Sequence, residues 1–337
     1  MKIAFLNIYQ GLVERGGETY VRELSSRLSK NHQVDVISGK KIPPKRWPVI
    51  WRWFIDPQGL AIALFTLKNI PRILRRRYDV VIPVNGGWQP AFIRLATWLY
   101  GGKMIVSGQS GIGWDDKNNL WSLPNVFVAL STHGLKWAKK YNPFVRSVYI
   151  PNGVDLNKFK PEGDKYDSGL KQPIILVVAA LVPGKRIDLV IKAVSKLKTV
   201  SLLVVGDGEL KEQINNLGEN LMADRFKQIT VAHDDIAKVY READLFVFVP
   251  EKSESFGIVY VEALATGLGV VAIDDLQRRE IIKSAGVYVT DPLDSENFKD
   301  QISLALNTKW AHRPRKEAAR FDWDEIAKNY EELFKGF

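Results

Sequence analysis

The 337-residue chain contains no cysteine, which excludes disulfides and thiolate metal sites. Histidine is scarce, and the four present (His32, His133, His233 and His312) show no paired ligand spacing, so no zinc centre and no catalytic metal is expected. There is no Asn-x-Ser/Thr glycosylation sequon, no low-complexity tract and no internal repeat. The longest apolar stretch, GLAIALFTL at 59–67, is far shorter than the ~20 residues needed to cross a bilayer. The opening MKIAFLNIYQ enters a strand pattern with no secretory apolar region ahead of it, so the cytoplasm is the expected compartment.

What is present is ordinary for a soluble α/β chain: 46% hydrophobic and 26% charged residues. The length suits two domains of about 150 residues each. Charge is unevenly placed. Residues 1–160 hold 24 Lys+Arg against 9 Asp+Glu, whereas 161–337 hold 24 against 29, so the net +10 comes wholly from the first part. Such asymmetry points to an anionic surface or partner for one domain, or to solubility alone.

Short Val/Ile/Leu-rich runs alternate with helical patterns from end to end. Strands are expected at 2–8, 33–38, 79–84, 103–107, 126–131 and 147–150, then at 173–181, 201–205, 228–231, 244–249, 269–273 and 286–289. Helices such as 18–29, 132–141, 186–198, 209–217, 236–242, 257–266 and 297–307 fall between them. Near-continuous apolar strands alternating with helices mean parallel sheets covered on both faces. The polar segment PEGDKYDSGLKQP at 161–173 reads as a linker. The expected organisation is therefore a domain at 1–160, a linker, a domain at 174–320 and a terminal amphipathic helix within 321–337. Two doubly wound domains joined this way leave a cleft, with ligands outside the carboxyl ends of the strands.

The stretch PEKSESFGIVYVEALATGLGVVA at 250–272 carries the most chemistry. It leaves a buried strand, enters a helix at Gly257 and returns to another buried strand. The amides of Ser255, Phe256, Gly257 and Ile258 are expected at a helix N-terminus, where unpaired N–H groups and the macrodipole favour an anion. Glu254 lies before this helix and Glu262 about two turns into it. Two carboxylates around a phosphate site suit a polyhydroxy ligand joined to a diphosphate; a capping segment with a solvated Glu254 is the plainer alternative.

This segment resembles the Glu-x7-Glu signature of retaining GT-B glycosyltransferases, particularly family 4, with Gly269 where the family usually has proline. The resemblance extends along most of the chain. Gly16-Gly17-Glu18 is similar to the family's glycine loop, one residue shorter. IPNGVD at 150–155, LVPGKRIDLVIKA at 181–193, LVVGDG at 203–208, YREADLFVFVP at 240–250 and the stretch 323–334 match further landmarks. The resemblance implies two Rossmann-like domains facing across a cleft, a last helix crossing back to the N-terminal domain, and a donor bound mainly by the C-terminal domain. It implies that Lys185 neutralises the donor diphosphate, that Glu254 holds the transferred sugar, and that Glu262 binds the nucleotide ribose. The amides after Glu254 would support sugar and phosphate, and Gly16 and Gly17 would let their loop approach the donor. The implied donor is a UDP- or GDP-sugar, with no cofactor. Two positions depart from the family. Ala180 replaces an arginine five residues before Lys185, so Arg186 either supplies the missing cation or is merely exposed. Gln109 stands near a histidine that contacts the sugar in many relatives; it can hydrogen-bond but cannot carry a proton.

Rival classes fit less well. An NAD(P)-dependent oxidoreductase needs Gly-x-Gly-x-x-Gly at a strand–helix turn, but Gly206-Asp207-Gly208 lacks the third glycine and Gly108/Gly111/Gly113 has the wrong spacing. Gly184-Lys185 lacks the rest of a P-loop. A non-catalytic sugar- or nucleotide-binding protein is discouraged by Glu254, Glu262 and Lys185 together, and no nucleic-acid module is present. The Asp322-Trp323-Asp324 triplet reads as a helix start. Finally, KKIPPKRWPVIWRWF at 40–54 interleaves cations with Trp47, Trp51, Trp53 and Phe54, and RILRRR at 72–77 adds a second basic cluster. Tryptophan with Lys/Arg suits an anionic headgroup interface, on the inner face of the cell membrane, with a lipid-linked or cell-envelope acceptor. The alternative is that Pro43, Pro44 and Pro48 fold the loop back and bury its tryptophans.

Overall fold

The computed structural model describes residues 1–47, 53–232, 234–251 and 253–337; Pro48, Trp51 and His233, named above, lie outside the described residues. The chain forms two compact units, Met1–Asn152 with Trp323–Phe337, and Gly153–Asp322.

In the first unit the order is β1 (Lys2–Asn7), α1 (Gly16–Leu28), β2 (Gln33–Ser38), α2 (Pro57–Arg76), β3 (Val80–Pro83), α3 (Trp88–Tyr100), β4 (Lys103–Ser107), α4 (Trp114–Trp121), β5 (Val126–Ala129), α5 (Thr132–Tyr141) and β6 (Ser147–Tyr149). The strands make one sheet in the order β2-β1-β3-β4-β5-β6, each neighbouring pair parallel. Alternation along β1 sends Ile3 and Phe5 to one core layer and Ala4 and Leu6 to the other, as a two-residue pleat requires. Helix ends follow local chemistry. Asp56 accepts from the Gly59 amide ahead of Pro57, and Ser131 accepts from the Gly134 amide, each satisfying a first-turn donor.

The second unit runs β7 (Ile174–Val178), α6 (Ile187–Ser195), β8 (Ser201–Val205), α7 (Lys211–Met222), β9 (Phe226–Ile229), α8 (Ile236–Glu242), β10 (Leu245–Phe248), α9 (Ile258–Ala265), β11 (Gly269–Ile273), α10 (Leu276–Ile282), β12 (Gly286–Val289), α11 (Ser295–Leu306) and α12 (Arg313–Ala318). Its sheet order is β12-β11-β10-β7-β8-β9, again parallel throughout. All twelve expected strands are found, several shorter by one to three residues at their ends.

The segment read as a linker, 161–173, lies within the second unit and is bonded to it. The Tyr166 amide donates to Lys238 O (3.0 Å), and the Ser168 amide donates to Glu242 Oε1 (2.8 Å). Ser168 is buried there, while most of the segment's other residues remain exposed. The last helix, α13 (Trp323–Lys335), belongs to the first unit and packs on α1. Its buried positions, Trp323, Ile326, Ala327, Tyr330, Leu333 and Phe334, recur at helical spacing and form one apolar stripe. Tyr20 and Tyr330 share a hydroxyl hydrogen bond of 3.0 Å. In the Asp322-Trp323-Asp324 triplet, Trp323 is buried and Asp324 Oδ1 pairs with Arg27 of α1 at 2.7 Å.

The glycine at 269 has a local cause. A Cβ there would come within 2.1 Å of the Trp310 ring, whose indole N–H donates to Ala305 O at 3.0 Å. Trp310 occupies the space a larger residue would need. Gly269→Ala is expected to lower stability by about 1–3 kcal/mol through overpacking, measured by urea denaturation. Gly269→Ala combined with Trp310→Leu should recover part of the loss, and equal loss in the single and double variants would refute the overpacking account.

Candidate functional site

In the second sheet the order runs outward in both directions from the β7–β10 pair. Consecutive loops leave the sheet to opposite sides at such a point, and ligands bind beyond the carboxyl ends of its two strands. The loop after β7 carries the turn Pro183–Lys185; the loop after β10 carries Glu251 and Glu254. The Glu251 amide donates to Gly184 O at 2.9 Å, which ties the loops together. Lys185 Nζ forms an ion pair with Glu254 Oε2, and each side chain remains partly exposed. Lys185 Nζ also lies 5.8 Å from the centroid of the Phe248 ring. The two residues assigned to chemistry by resemblance, 69 positions apart, are thus in direct contact.

Glu254 is followed by Gly257, which caps α9 with φ +76° and no side-chain hydrogen bond. The left-handed conformation favours glycine, and a Cβ would also meet the Tyr260 ring at 2.7 Å. Gly257 brings no capping side chain of its own to the first turn of α9, and this end carries the positive end of the helix dipole. The helix starts at Ile258, one residue later than expected. Phe256 is buried edge-to-face against Phe321, ring centroids 5.6 Å apart. Its side chain is therefore a packing element, and only its backbone can face a ligand. Ser255 O accepts from Gln277 Nε2.

Glu262 is 7% exposed and its Oε2 accepts from the Tyr240 hydroxyl of α8 at 2.9 Å. Burial first, and the neighbouring Glu262 second, hold the Tyr240 phenol well above its usual pKa. Tyr240 therefore stays a donor and fixes the orientation of the carboxylate. Arg186 takes a left-handed turn (φ +52°) at the start of α6; half-buried, its guanidinium makes no ion pair among the described residues.

Two supporting residues escaped the sequence reading. Arg278 in α10 is 1% exposed. Its Nη2 donates to Glu254 O at 2.9 Å, and its Nη1 pairs with Asp275 at 3.3 Å. Gln277 beside it holds Ser255 O. Both carbonyls of the Glu254–Ser255 step are thus gripped from α10. In the charged string DDLQRRE at 274–280 nothing local distinguishes the first arginine, which turns inward, from the exposed Arg279 beside it. Tyr240 did lie within a matching landmark, without a role attached.

In the first unit, Gly16 and Gly17 form the first turn of α1. A Cβ on Gly17 would meet Val84 Cγ1 at an ordinary 3.9 Å, so packing alone does not require glycine there. The next residue, Glu18, is buried and accepts from Asn7 Nδ2 at 3.0 Å; burial raises its pKa. Gln109 is engaged by a reciprocal amide pair with Asn152, both bonds 3.0 Å, and it also donates to Ser107 Oγ at 2.9 Å. A sugar contact by Gln109 would have to form alongside, or in place of, these bonds.

Residues 15–158 match Glycosyltransferase Family 4, and residues 160–322 match Glycosyl transferases group 1. Among curated relatives, the chain is 24% identical over 213 residues to the lipopolysaccharide 1,2-N-acetylglucosaminetransferase of Salmonella typhimurium, spanning 56% of each chain. It is 27% identical to the GDP-mannose-dependent alpha-(1-6)-phosphatidylinositol monomannoside mannosyltransferase of Mycolicibacterium smegmatis, over 77% of each. The chain thus spans about half the length of the first of these relatives. Among solved structures, Anabaena HepE in complex with UDP-glucose superposes with a TM-score of 0.79 at 18% identity, covering both chains fully.

Proposed function

Because the chain belongs to the glycosyl transferases group 1 family, with a family 4 region ahead of that match, we propose that it transfers a sugar from a nucleoside diphosphate sugar to an acceptor hydroxyl. The observation that carries this reading is the Lys185–Glu254 pair at the β7–β10 switch point, beside the glycine-capped N-terminus of α9. A donor diphosphate entering there takes over the Lys185 ammonium and faces the α9 amides. Both oppose the charge that grows on the leaving nucleotide, and fixed cations and amides stabilise such charge without reorganising. Glu254, released from Lys185, accepts hydrogen bonds from the sugar hydroxyls. Glu262, oriented by Tyr240, accepts from the ribose. Arg186 supplies a second cation next to Lys185, in the place of the arginine missing at Ala180.

Lys185 and the amides perform the charge neutralisation that a metal performs elsewhere, so the transfer is metal-independent. It retains the anomeric configuration, with the donor phosphate receiving the acceptor's proton. UDP- and GDP-sugars are the donors that relatives suggest: HepE was solved with UDP-glucose, and the mycobacterial relative is GDP-mannose-dependent. The relatives' names also suggest a lipid-linked or cell-envelope glycan acceptor, met by a cytoplasmic enzyme at the inner face of the membrane.

The test is transfer from a panel of UDP- and GDP-sugars with and without EDTA, with the product anomer assigned by NMR. Undiminished transfer in EDTA and an anomer matching the donor's are expected. Complete loss in EDTA, or an inverted product, would overturn the mechanism.

A further inference from the structure

The stretch GLAIALFTL, too short to span a bilayer, forms the first half of α2, and its exposure is unusual. The helix buries Ile62, Ala63, Thr66 and Ile73, with Ile73 in the core layer under the first sheet and α3 packed along the helix. Yet its opposite side presents Leu60, Leu64 and Leu67 to solvent, Leu64 at 67% exposure. A helix apolar on both sides is ordinarily covered on both. The adjacent α3 packs along α2 and exposes Leu95, Trp98 and Leu99, the last two at 64% and 76%. Neither helix contains a single acidic residue. Large apolar side chains exposed in number on two adjacent helices are the kind of surface that marks an interaction site.

Charge identifies the occupant. Helix α2 joins β2 to β3 and α3 joins β3 to β4, all parallel strands, so the two helices run in the same direction. Their last turns therefore share one edge of the unit. There Arg75, Arg76 and the capping Arg77 of α2 lie at the same edge as Trp98 and Leu99 of α3. These three arginines are exposed and make no ion pair among the described residues, whereas Arg72 is held by Asp35 at 3.1 Å. Arg94 stacks over Trp98 at 5.2 Å. Of the loop tryptophans named earlier, Trp47 and Trp53 are exposed, while Phe54 is buried. An exposed leucine ridge, interface-seeking tryptophans and three exposed arginines on helices that carry no acidic residue are complementary to acyl chains, headgroup boundary and lipid phosphate respectively.

We propose that the outer faces of α2 and α3 form a docking surface for an anionic lipid bilayer, with both helices lying in the interface plane. The surface gives the proposed membrane-located acceptor its route, and in that respect rests on the functional reading. Vesicle binding itself requires no sugar transfer, so the two can fail separately.

Co-sedimentation tests it, with phosphatidylcholine vesicles compared with mixed phosphatidylcholine/phosphatidylglycerol vesicles at low and high salt. The wild-type protein should bind the mixed vesicles at low salt and be released at high salt. Substituting Arg75, Arg76 and Arg77 by Ser should weaken binding about 100-fold. Leu64→Ser with Leu99→Ser should weaken it by more than about tenfold with an unchanged melting temperature, since both side chains are already exposed. Leu293→Ser, an equally exposed leucine of the second unit at 74%, should change nothing. No binding, equal binding to neutral vesicles, or loss with Leu293→Ser would overturn the proposal. So would sedimentation velocity showing a dimer that the Leu64 and Leu99 substitutions dissolve.

Discussion

Lys185→Ala is expected to lower turnover by about 10²–10³-fold, the usual cost of removing one group that stabilises charge on a leaving oxyanion. The protein should nevertheless fold normally. The Lys185–Glu254 pair is partly exposed, and pairs of that kind contribute at most about 1 kcal/mol. Thermal melts beside steady-state kinetics with a UDP- or GDP-sugar separate the two effects. A normal melt with wild-type turnover would remove Lys185 from the proposed chemistry. Glu262 should behave differently, although the signature pairs it with Glu254. Glu262→Ala leaves the buried Tyr240 hydroxyl without its 2.9 Å partner, so a loss of about 1–3 kcal/mol in stability should accompany weaker donor binding.

Arg278→Ala should have the largest effect on stability of any change around the site, about 3 kcal/mol or more. Removing one member of a buried charge pair strands the other. Here it would leave Asp275 unpaired and Glu254 O without its donor. Because Arg278 grips the peptide that carries Glu254, the surviving folded protein should show faster amide hydrogen exchange around 253–257. Its turnover should also fall more than its donor affinity. Arg278→Lys keeps the charge but not the fork, so it should restore part of the stability and little of the exchange protection. Wild-type exchange in the 253–257 loop of Arg278→Ala would show that the arginine only packs α10.

Elements of regular structure were legible because each is written locally. Strands such as Ile174–Val178 and Leu245–Phe248 are nearly unbroken apolar runs, and α13 repeats its buried residues at helical spacing. Lys185 and Glu254 were legible for a related reason: each lies in a loop directly after such a strand, where doubly wound sheets bind ligands. Boundaries were less so. The helix after Glu254 begins at Ile258 because Gly257 takes a left-handed conformation, which the residue type permits but does not announce.

By itself, then, the sequence determined two parallel α/β units, the switch-point loops and the residue types carried on them. Partners distant in the chain were decided only by tertiary structure. Gln109 looked like a stand-in for a histidine, but its amide is taken by Asn152, 43 positions away. Segment 161–173 looked like a linker, but Lys238 and Glu242 bind it into the second unit. Arg278 carried no expectation at all, but Glu254 O and Asp275 draw it inward. The apolar run at 59–67 was read only as too short to cross a bilayer, but one side of α2 is buried and the other is left exposed. The physical reason is common to all four. Periodicity reports which side of an element is apolar and which residues can hydrogen-bond, but burial and pairing depend on which other element the fold sets against that side.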